Sequence, residues 1–153
     1  MRTFARTGDR DQIMARLATL RLDSQRRWGT MSVHQMVVHC ADACRMAHGD
    51  VTPRELGPPW SRPVIKAIAL YAPMRWPRGI QTVPEFDQVA AGAAPVGDFA
   101  SDVASLAALL DGISARPAGA RWPRHPIFGP MSEGAWMRWV WLHMDHHLRQ
   151  FGA

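Results

Sequence analysis

Three histidines, His143, His146 and His147, lie close together near the end of the sequence, within the aromatic-rich residues 136–150. An α-helix turns by about 100° per residue, so a helix here would place His143 and His147, at spacing i, i+4, one above the other. Imidazole is a common metal ligand, and a buried imidazole is costly unless it is hydrogen-bonded or bound to a metal. The segment therefore predicts a metal site as its leading interpretation.

The faces of this predicted helix place the histidines toward the interior. In helical projection, one arc about 120° wide holds apolar residues, the three histidines and a glutamine: Trp136, Trp139, Val140, His143, His146, His147 and Gln150. Arg138, Asp145 and Arg149 fall on the opposite side, where Asp145 and Arg149 can pair at i, i+4. The histidines thus continue an apolar stripe, and the charged residues form the solvated face.

A second helix is predicted to supply the third metal ligand, because a catalytic zinc-type site uses about three protein ligands and keeps one position open. Ser32 and Gln35 form a capping box, and Gly49 is a C-cap signal. His39 shares a mostly apolar face with Gln35, Met36, Ala43 and Met46. His34 and His48 fall on another side, which we expect to face solvent.

Other interpretations of these residues stay open. The histidines could be core residues bonded to backbone carbonyls, and His146 is expected to lie beside the site rather than to ligate. His125 is expected in a loop, from which it could reach the mouth of a site. Cys40, Cys44 and His48 at i, i+4, i+8 suggest a thiolate site, but cysteines in an apolar strip usually behave as buried hydrophobes.

Composition indicates an ordinary globular protein. The chain has 153 residues, 47% of them hydrophobic and 20% charged, which predicts a single domain over residues 1–153. The net charge of +5 comes from scattered arginines without a basic run, so nucleic-acid binding is not expected. The N-terminus lacks a signal-peptide pattern, and the longest apolar stretch, residues 64–74, is interrupted and too short for a membrane span. We expect a cytoplasmic protein.

Periodicity and caps predict an all-α architecture. Helices are expected over residues 9–20, 32–49, 61–71 and 99–113, the last of these with Asp98 as a candidate cap, and a final helix is capped by Ser132. Proline-rich loops separate them at residues 73–97 and 116–130. No segment alternates as a strand. Four principal helices plus a shorter one suggest a bundle, in which facing helices can supply metal ligands directly.

Four segments carry a resemblance to the DinB/YfiT-like superfamily. Residues 28–43 (WGTMSVHQMVVHCADA) resemble the segment around its first metal histidine, and residues 143–151 (HMDHHLRQF) resemble its closing H-x-x-x-H-x-x-Q motif. Residues 73–86 and 125–136 are similar to one uncharacterised subgroup. The resemblance covers most of the chain from Trp28 onward.

This resemblance implies a DinB-like four-helix bundle that holds a divalent metal and often forms homodimers. Carried over residue by residue, the ligands are His39, His143 and His147, the same triad that the helical faces select. Imidazole suits zinc, nickel, iron and copper alike; we expect zinc or nickel.

The resemblance also implies a function, because superfamily members include thiol-dependent transferases in which the metal binds a low-molecular-weight thiol as thiolate. The leading hypothesis is a metal-dependent enzyme of the thiol S-transferase type acting on a small molecule. Arg75, Arg78 or Arg124 could form a basic mouth for the thiol's carboxylates. Residues 73–97 could cover the metal as a lid or simply pack against the bundle.

Two alternatives accompany this hypothesis. One is hydrolysis of a small amide or ester by metal-activated water, with Asp42 and His146 as the candidate catalytic residues; Asp42, at i+3 from His39, could instead orient that ligand. The other is a non-catalytic stress or binding protein whose metal only stabilises the bundle, which predicts a closed coordination sphere and a large loss of melting temperature on chelation.

Overall fold

The computed structural model describes residues 1–80, 82–89 and 97–153. Within these ranges the chain forms helices joined by irregular segments: α1 (Thr7–Ala18), α2 (Val33–His48), α3 (Arg62–Tyr71), α4 (Phe99–Ser114) and α5 (Glu133–Gln150), with short 3₁₀ turns at Pro59–Ser61 and Pro84–Phe86. The described residues contain no strand, only an isolated antiparallel bridge between His125 and Gly129. The prediction of an all-α protein is confirmed for them.

The predicted caps fix the ends of the longer helices. Ser32 accepts a hydrogen bond from the Gln35 backbone and Gln35 returns one, so the capping box of α2 is complete, and Gly49 ends the helix with a left-handed φ of 91°. Asp98 caps α4 and Ser132 caps α5. Each side-chain cap contributes about 1 kcal/mol to the stability of its helix.

Helix α1 differs from its prediction at the start. It begins at Thr7 rather than within residues 9–11, because Asp9 lies in the first turn and is not the cap. The Asp9 carboxylate instead accepts a hydrogen bond from the Thr3 backbone at 3.0 Å. Helix α3 starts at Arg62 with a proline in its first turn, as expected.

Helix α5 is the central element of the fold. It packs against α1, α2 and α3, while α4 packs against α1 and α2. Each of these helices contributes fully buried side chains, and α3 contributes Leu70. The buried set is Ile13, Leu17, Met36, Val37, Leu70, Leu106, Leu110, Ile113, Trp136, Met144 and Leu148. None of the helices that the structure describes is both long and apolar enough to cross a membrane.

The expectation that His34 and His48 face solvent is wrong, because α4 covers that side of α2. His34 is buried, and its Nε2 lies 2.7 Å from a carboxylate oxygen of Asp102 on α4. His48 is half-buried, and its Nε2 donates to the Leu109 carbonyl at 2.9 Å. A helical projection gives the angle between residues but not which sides another helix covers.

The expected pair between Asp145 and Arg149 forms at 2.8 Å on the outer face of α5. Asp145 also accepts from Arg16 of α1 at 2.8 Å. The face predicted to be solvated is therefore partly covered by α1, and its ion pairs join two helices.

Candidate metal centre

The three predicted ligands meet between α2 and α5. One ring nitrogen each from His39, His143 and His147 lies within 4.8 Å of the other two. The Nε2 atoms of His39 and His143 are 3.2 Å apart. His39 and His147 are buried and His143 is half-buried, so the cluster lies mostly inside the protein. A group of this kind could hold a metal ion.

Backbone and side-chain oxygens orient two of the three rings. His39 Nδ1 donates to the Phe86 carbonyl at 2.9 Å, and His147 Nδ1 donates to Gln150 Oε1 at 3.0 Å. A neutral imidazole that donates from Nδ1 keeps a free lone pair on Nε2. These bonds therefore select the tautomer in which Nε2 can ligate, as the outer hydrogen bonds of metal-binding histidines usually do.

Gln150 is in turn held by the turn before α2. Its amide nitrogen donates to the Trp28 carbonyl at 3.0 Å. Gly29 has a φ of +81°, and a Cβ added there would lie 2.6 Å from the same amide nitrogen. Only glycine suits this position. The turn at Trp28 and Gly29 thus positions Gln150, and Gln150 positions His147.

The electrostatics of the cluster favour a cation. Burial lowers the pKa of His39, and it lowers the pKa of His143 and His147 well below the usual range, so the rings are neutral near pH 7. Neutral rings that direct lone pairs at one another repel unless a proton or a cation lies between them. The Nε2 atoms of His39 and His143 are 3.2 Å apart and all three ligand atoms lie within 4.8 Å of one another, so one divalent ion could be shared by the three rings.

The triad forms part of the wall of a cavity of about 630 Å³. The remaining wall is mostly apolar and comes from α2, α3 and the segment after α3: Met46, Ile65, Ile68, Ala69, Met74, Trp76, Ile80, Val83, Phe86 and Val89, with Ile127 and Phe128 from the loop before α5. The cavity volume lies within the range of small-molecule sites. The histidine nitrogens therefore face a space that a small ligand could enter.

His125, which was expected in a loop from which it could reach the mouth of a site, is a buried wall residue of this cavity. It is 3% exposed, and its Nδ1 accepts from the backbone N–H groups of Ile127 and Phe128 at 3.2 and 3.3 Å. The proton is then on Nε2, which has no acceptor among the described residues. Burial lowers the pKa of His125 to about 3, so the ring stays a neutral N–H donor near pH 7.

His146 lies beside the triad, as expected for a residue that does not ligate. Its ring centroid is 5.1 Å from that of His147, and it lines the same cavity. Nδ1 of His146 is buried and lacks a hydrogen-bond partner in the described part of the chain. Burial, reinforced by Arg149, lowers the pKa of His146 to about 4. His125 and His146 thus each line the cavity and carry a buried ring nitrogen that has no partner among the described residues.

A sequence model of the family described as "Protein of unknown function (DUF1569)" matches residues 5–153. The chain belongs to this family. The matched range contains all five helices and every residue of the triad, so the candidate centre lies within the DUF1569 region. Comparisons with curated proteins and with solved structures gave no match.

The structure places Asp42 away from the cavity wall. Its two carboxylate oxygens accept from Arg45 at 2.7 Å and from Gln88 at 2.9 Å. The hydrogen bond that orients His39 comes from the Phe86 carbonyl instead. The orienting role that the sequence suggested for Asp42 therefore belongs to a backbone group, and Asp42 is not one of the described residues that line the cavity.

Of the three arginines predicted to form a basic mouth, one lines the cavity among the described residues. Arg75 lines the cavity. The Arg78 guanidinium lies 4.7 Å from the ring centroid of Trp28, and Arg124 donates to Glu55 at 2.9 Å. These two are not among the described wall residues, so Arg75 alone could meet an anionic group of a ligand there.

The alternative thiolate site does not form. Cys40 and Cys44 are buried in the core, where burial raises the pKa of Cys40 well above its usual range and that of Cys44 to about 12. His48 bonds instead to α4. The two thiols are core residues, as their apolar surroundings predicted.

The segment predicted as a possible lid contributes much of the wall. Its described residues that line the cavity include Met74, Trp76, Ile80, Val83 and Phe86. Residue 81 and residues 90–96 of the predicted loop lie outside the described ranges. The described part packs over the triad, and opening of this segment stays a prediction.

Proposed function

We propose that the chain is a DinB-like metal-dependent enzyme of the thiol S-transferase type. The observation that carries the proposal is the convergence of three neutral imidazoles, two of them oriented by hydrogen bonds, on one wall of a mostly apolar cavity. The packing of α1, α2, α4 and α5 against one another supports the DinB-like four-helix bundle. His39, His143 and His147 would hold the ion, with zinc or nickel as the expected metal.

A divalent ion held by three neutral imidazoles keeps its full charge and, when bound, supplies the Lewis acidity that lowers the pKa of a thiol or a water. The chain's own groups do the rest. Phe86 and Gln150 hold two ligand rings in place, and the apolar wall excludes bulk water. The His125 Nε2–H is buried without an acceptor among the described residues, and it would donate to an oxygen or a leaving group of a substrate that reaches it.

The transfer itself forms a bond between the thiol sulfur and an electrophilic carbon. The bond from that carbon to its leaving group breaks, and the leaving group departs with the electron pair. The thiol proton passes to solvent. The apolar wall favours an apolar electrophile, and Arg75 at the wall favours a thiol that carries a carboxylate.

Hydrolysis of a small ester or amide is a second candidate, favoured by His146. Its unpartnered Nδ1 in the cavity wall could hold or orient a water beside the triad. In that case His146→Gln would reduce hydrolysis of nitrophenyl acetate while the metal content stays unchanged. Equal hydrolysis by both proteins would remove His146 from the mechanism.

A homodimer accompanies the proposal, as the resemblance implies. Val64 and Ile68, one turn apart on α3, are 60% and 55% exposed and form an adjacent apolar pair that a second copy of the chain would cover. Analytical ultracentrifugation of the native protein and of Val64→Glu tests this. A native protein that sediments as a monomer would contradict it.

The metal centre is tested by measuring metal content with plasma mass spectrometry on protein purified without a histidine tag. His39→Gln and His34→Gln form a matched pair, since both remove a buried imidazole from α2 and only the first removes a predicted ligand. We expect about one equivalent of metal in the native protein and in His34→Gln, and loss in His39→Gln. Retention of metal in His39→Gln would overturn the assignment.

The activity is tested on the metal-loaded protein with low-molecular-weight thiols and chlorodinitrobenzene, an apolar electrophile. We expect thiol consumption above the uncatalysed rate, lost together with the metal in His39→Gln. A protein that binds the metal, accelerates neither this transfer nor ester hydrolysis, and loses much of its melting temperature on chelation would support the non-catalytic alternative.

A further inference from the structure

A second cavity, of about 400 Å³, lies along the face of α5 opposite the histidines. Of the described residues that line it, five are arginines and one is acidic. We call it the arginine pocket; its charged residues are Arg2, Arg16, Arg75, Arg138, Arg149 and Asp145. The segment around Arg75 also lines the histidine cavity, so one layer of chain separates the two spaces.

The single carboxylate cannot neutralise the arginines around it. Both oxygens of Asp145 are engaged, one by Arg16 and the other by Arg149, each at 2.8 Å. These side chains are only 18% to 24% exposed, so solvent screens the remaining charge incompletely. One negative charge thus serves two partly buried cations, which leaves a net positive charge at this point.

Arg138 adds a cation whose hydrogen bonds go to neutral groups. It donates to the Leu70 carbonyl at 3.0 Å and to the Arg2 carbonyl. Burial lowers the pKa of Arg138, against the opposing effect of Asp9, which agrees with a guanidinium that is desolvated without a direct counter-ion. An anion in the pocket would offset this cost.

Trp141 forms an ordered floor for these cations. It is 8% exposed and lines the pocket, and its buried Nε1 has no acceptor in the part of the chain that the structure describes. The guanidinium carbons of Arg2 and Arg138 lie 5.5 and 5.8 Å from its ring centroid. Stacking on an indole restricts both side chains, so their donors are arranged before any ligand arrives.

We propose that the arginine pocket binds a phosphate group, as the free ion or as a small phosphate monoester. Guanidinium groups match tetrahedral oxyanions with paired N–H donors, and such charge-assisted bonds are stronger when partly buried. The two negative charges of phosphate would balance the positive charge of Arg138 and the excess positive charge of the two arginines that share Asp145. The concave shape and volume favour a small molecule over an extended polyanion. The assignment does not depend on the metal centre.

The test is isothermal titration calorimetry of the whole native protein with inorganic phosphate at fixed chloride concentration. Arg138→Gln removes a half-buried pocket cation that forms no ion pair with a carboxylate among the described residues. Arg121→Gln is the matched control, because it removes the same charge from an exposed position outside the pocket. We expect one saturable site, with Kd raised at least about tenfold in Arg138→Gln and unchanged in Arg121→Gln.

Three results would overturn the proposal: no saturable binding by the native protein, equal weakening by both arginine variants, or loss of binding in His39→Gln rather than in Arg138→Gln. The second result would indicate an effect of net charge, and the third would locate phosphate at the histidine triad. Arg149→Gln provides a second pocket variant should Arg138→Gln fail to fold, and the same tenfold weakening is expected for it.

The two sources of phosphate are separated by titrating glycerol phosphate beside inorganic phosphate. Tighter binding of glycerol phosphate would assign the pocket to the phosphorylated end of an organic molecule. Equal or weaker binding would assign it to the free ion. Both results leave the phosphate site in place and define what it recognises.

Discussion

Helix α2 carries buried histidines on two sides, and the two sides use the imidazole ring differently. Toward α4, the Nε2 atoms of His34 and His48 each meet an oxygen of that helix. Toward α5, the protein binds Nδ1 of His39 and leaves its Nε2 facing His143. At the interface with α4, Nε2 of each ring has a hydrogen-bond partner. At the interface with α5, Nε2 of His39 faces Nε2 of His143.

This difference separates structural histidines from candidate ligands better than burial does. All three imidazoles of α2 are largely removed from solvent, so burial alone would group them together. What distinguishes His39 is that a backbone oxygen binds its Nδ1, which orients the ring without using Nε2, the nitrogen that faces the other triad histidines. We expect the two interfaces to respond differently to substitution.

The largest expected effect is on metal affinity in His143→Ala. Outer hydrogen-bond partners of metal ligands are worth about 10–100-fold in affinity, and loss of a ligand itself should exceed about 100-fold. A chelator-competition titration measures this. An affinity within tenfold of the native value would place the metal elsewhere.

A smaller loss, about 10–100-fold, is expected when the support of His147 is disturbed from a distance. Gly29→Ala would push its Cβ into Gln150, which orients His147. Gly57→Ala is the matched control: Gly57 also has a positive φ, of 69°, but a Cβ there meets nothing within 4 Å. Both variants carry backbone strain. Only a loss of metal affinity that is confined to Gly29→Ala would therefore indicate that Gln150 positions His147.

At the other interface, Asp102→Asn should lower the free energy of unfolding by about 1–3 kcal/mol, because His34 loses its charged partner. Metal affinity should stay at the native value. Urea denaturation of the metal-free protein, combined with His34→Gln in a double-mutant cycle, measures the coupling between the two residues. A metal affinity that falls in parallel with stability would show that the two interfaces are not independent.

The smallest expected effect belongs to Asp42→Asn. Its oxygens bind Arg45 and Gln88 rather than His39, so the metal affinity should change by less than about tenfold, the lower bound for an orienting partner. A larger loss in the chelator-competition titration would restore Asp42 as a residue that supports the ligand.

The local features of this fold could be predicted from the sequence, and the features that depend on distant segments could not. Ser32, Asp98 and Ser132 act within one turn of their own helices, so their caps could be recognised directly. The approach of α5 to His39 was inferred from apolar faces, and the three predicted ligands do lie together. Their binding of a metal stays a prediction.

The groups that orient the ligand rings could not be recognised from residue types, with one exception. The carbonyls of Phe86 and Trp28 are backbone groups that any residue could supply. The position of His125 between two loop residues likewise hid its burial. The exception is Gln150, which the sequence placed on the face of the histidines and in the closing motif, although its bond to His147 was not predicted.

The bonds around His147 and His39 also determine when the centre can form during folding. His39 and His143 are 104 positions apart in the sequence, and His39 and Phe86 are 47 apart. Gln150 and Trp28 are 122 positions apart. Closing loops of this length is slow compared with forming the helices. We therefore expect the oriented triad to form late in folding, when the beginning, middle and end of the chain have come together, and the kinetics of metal uptake would report that last step.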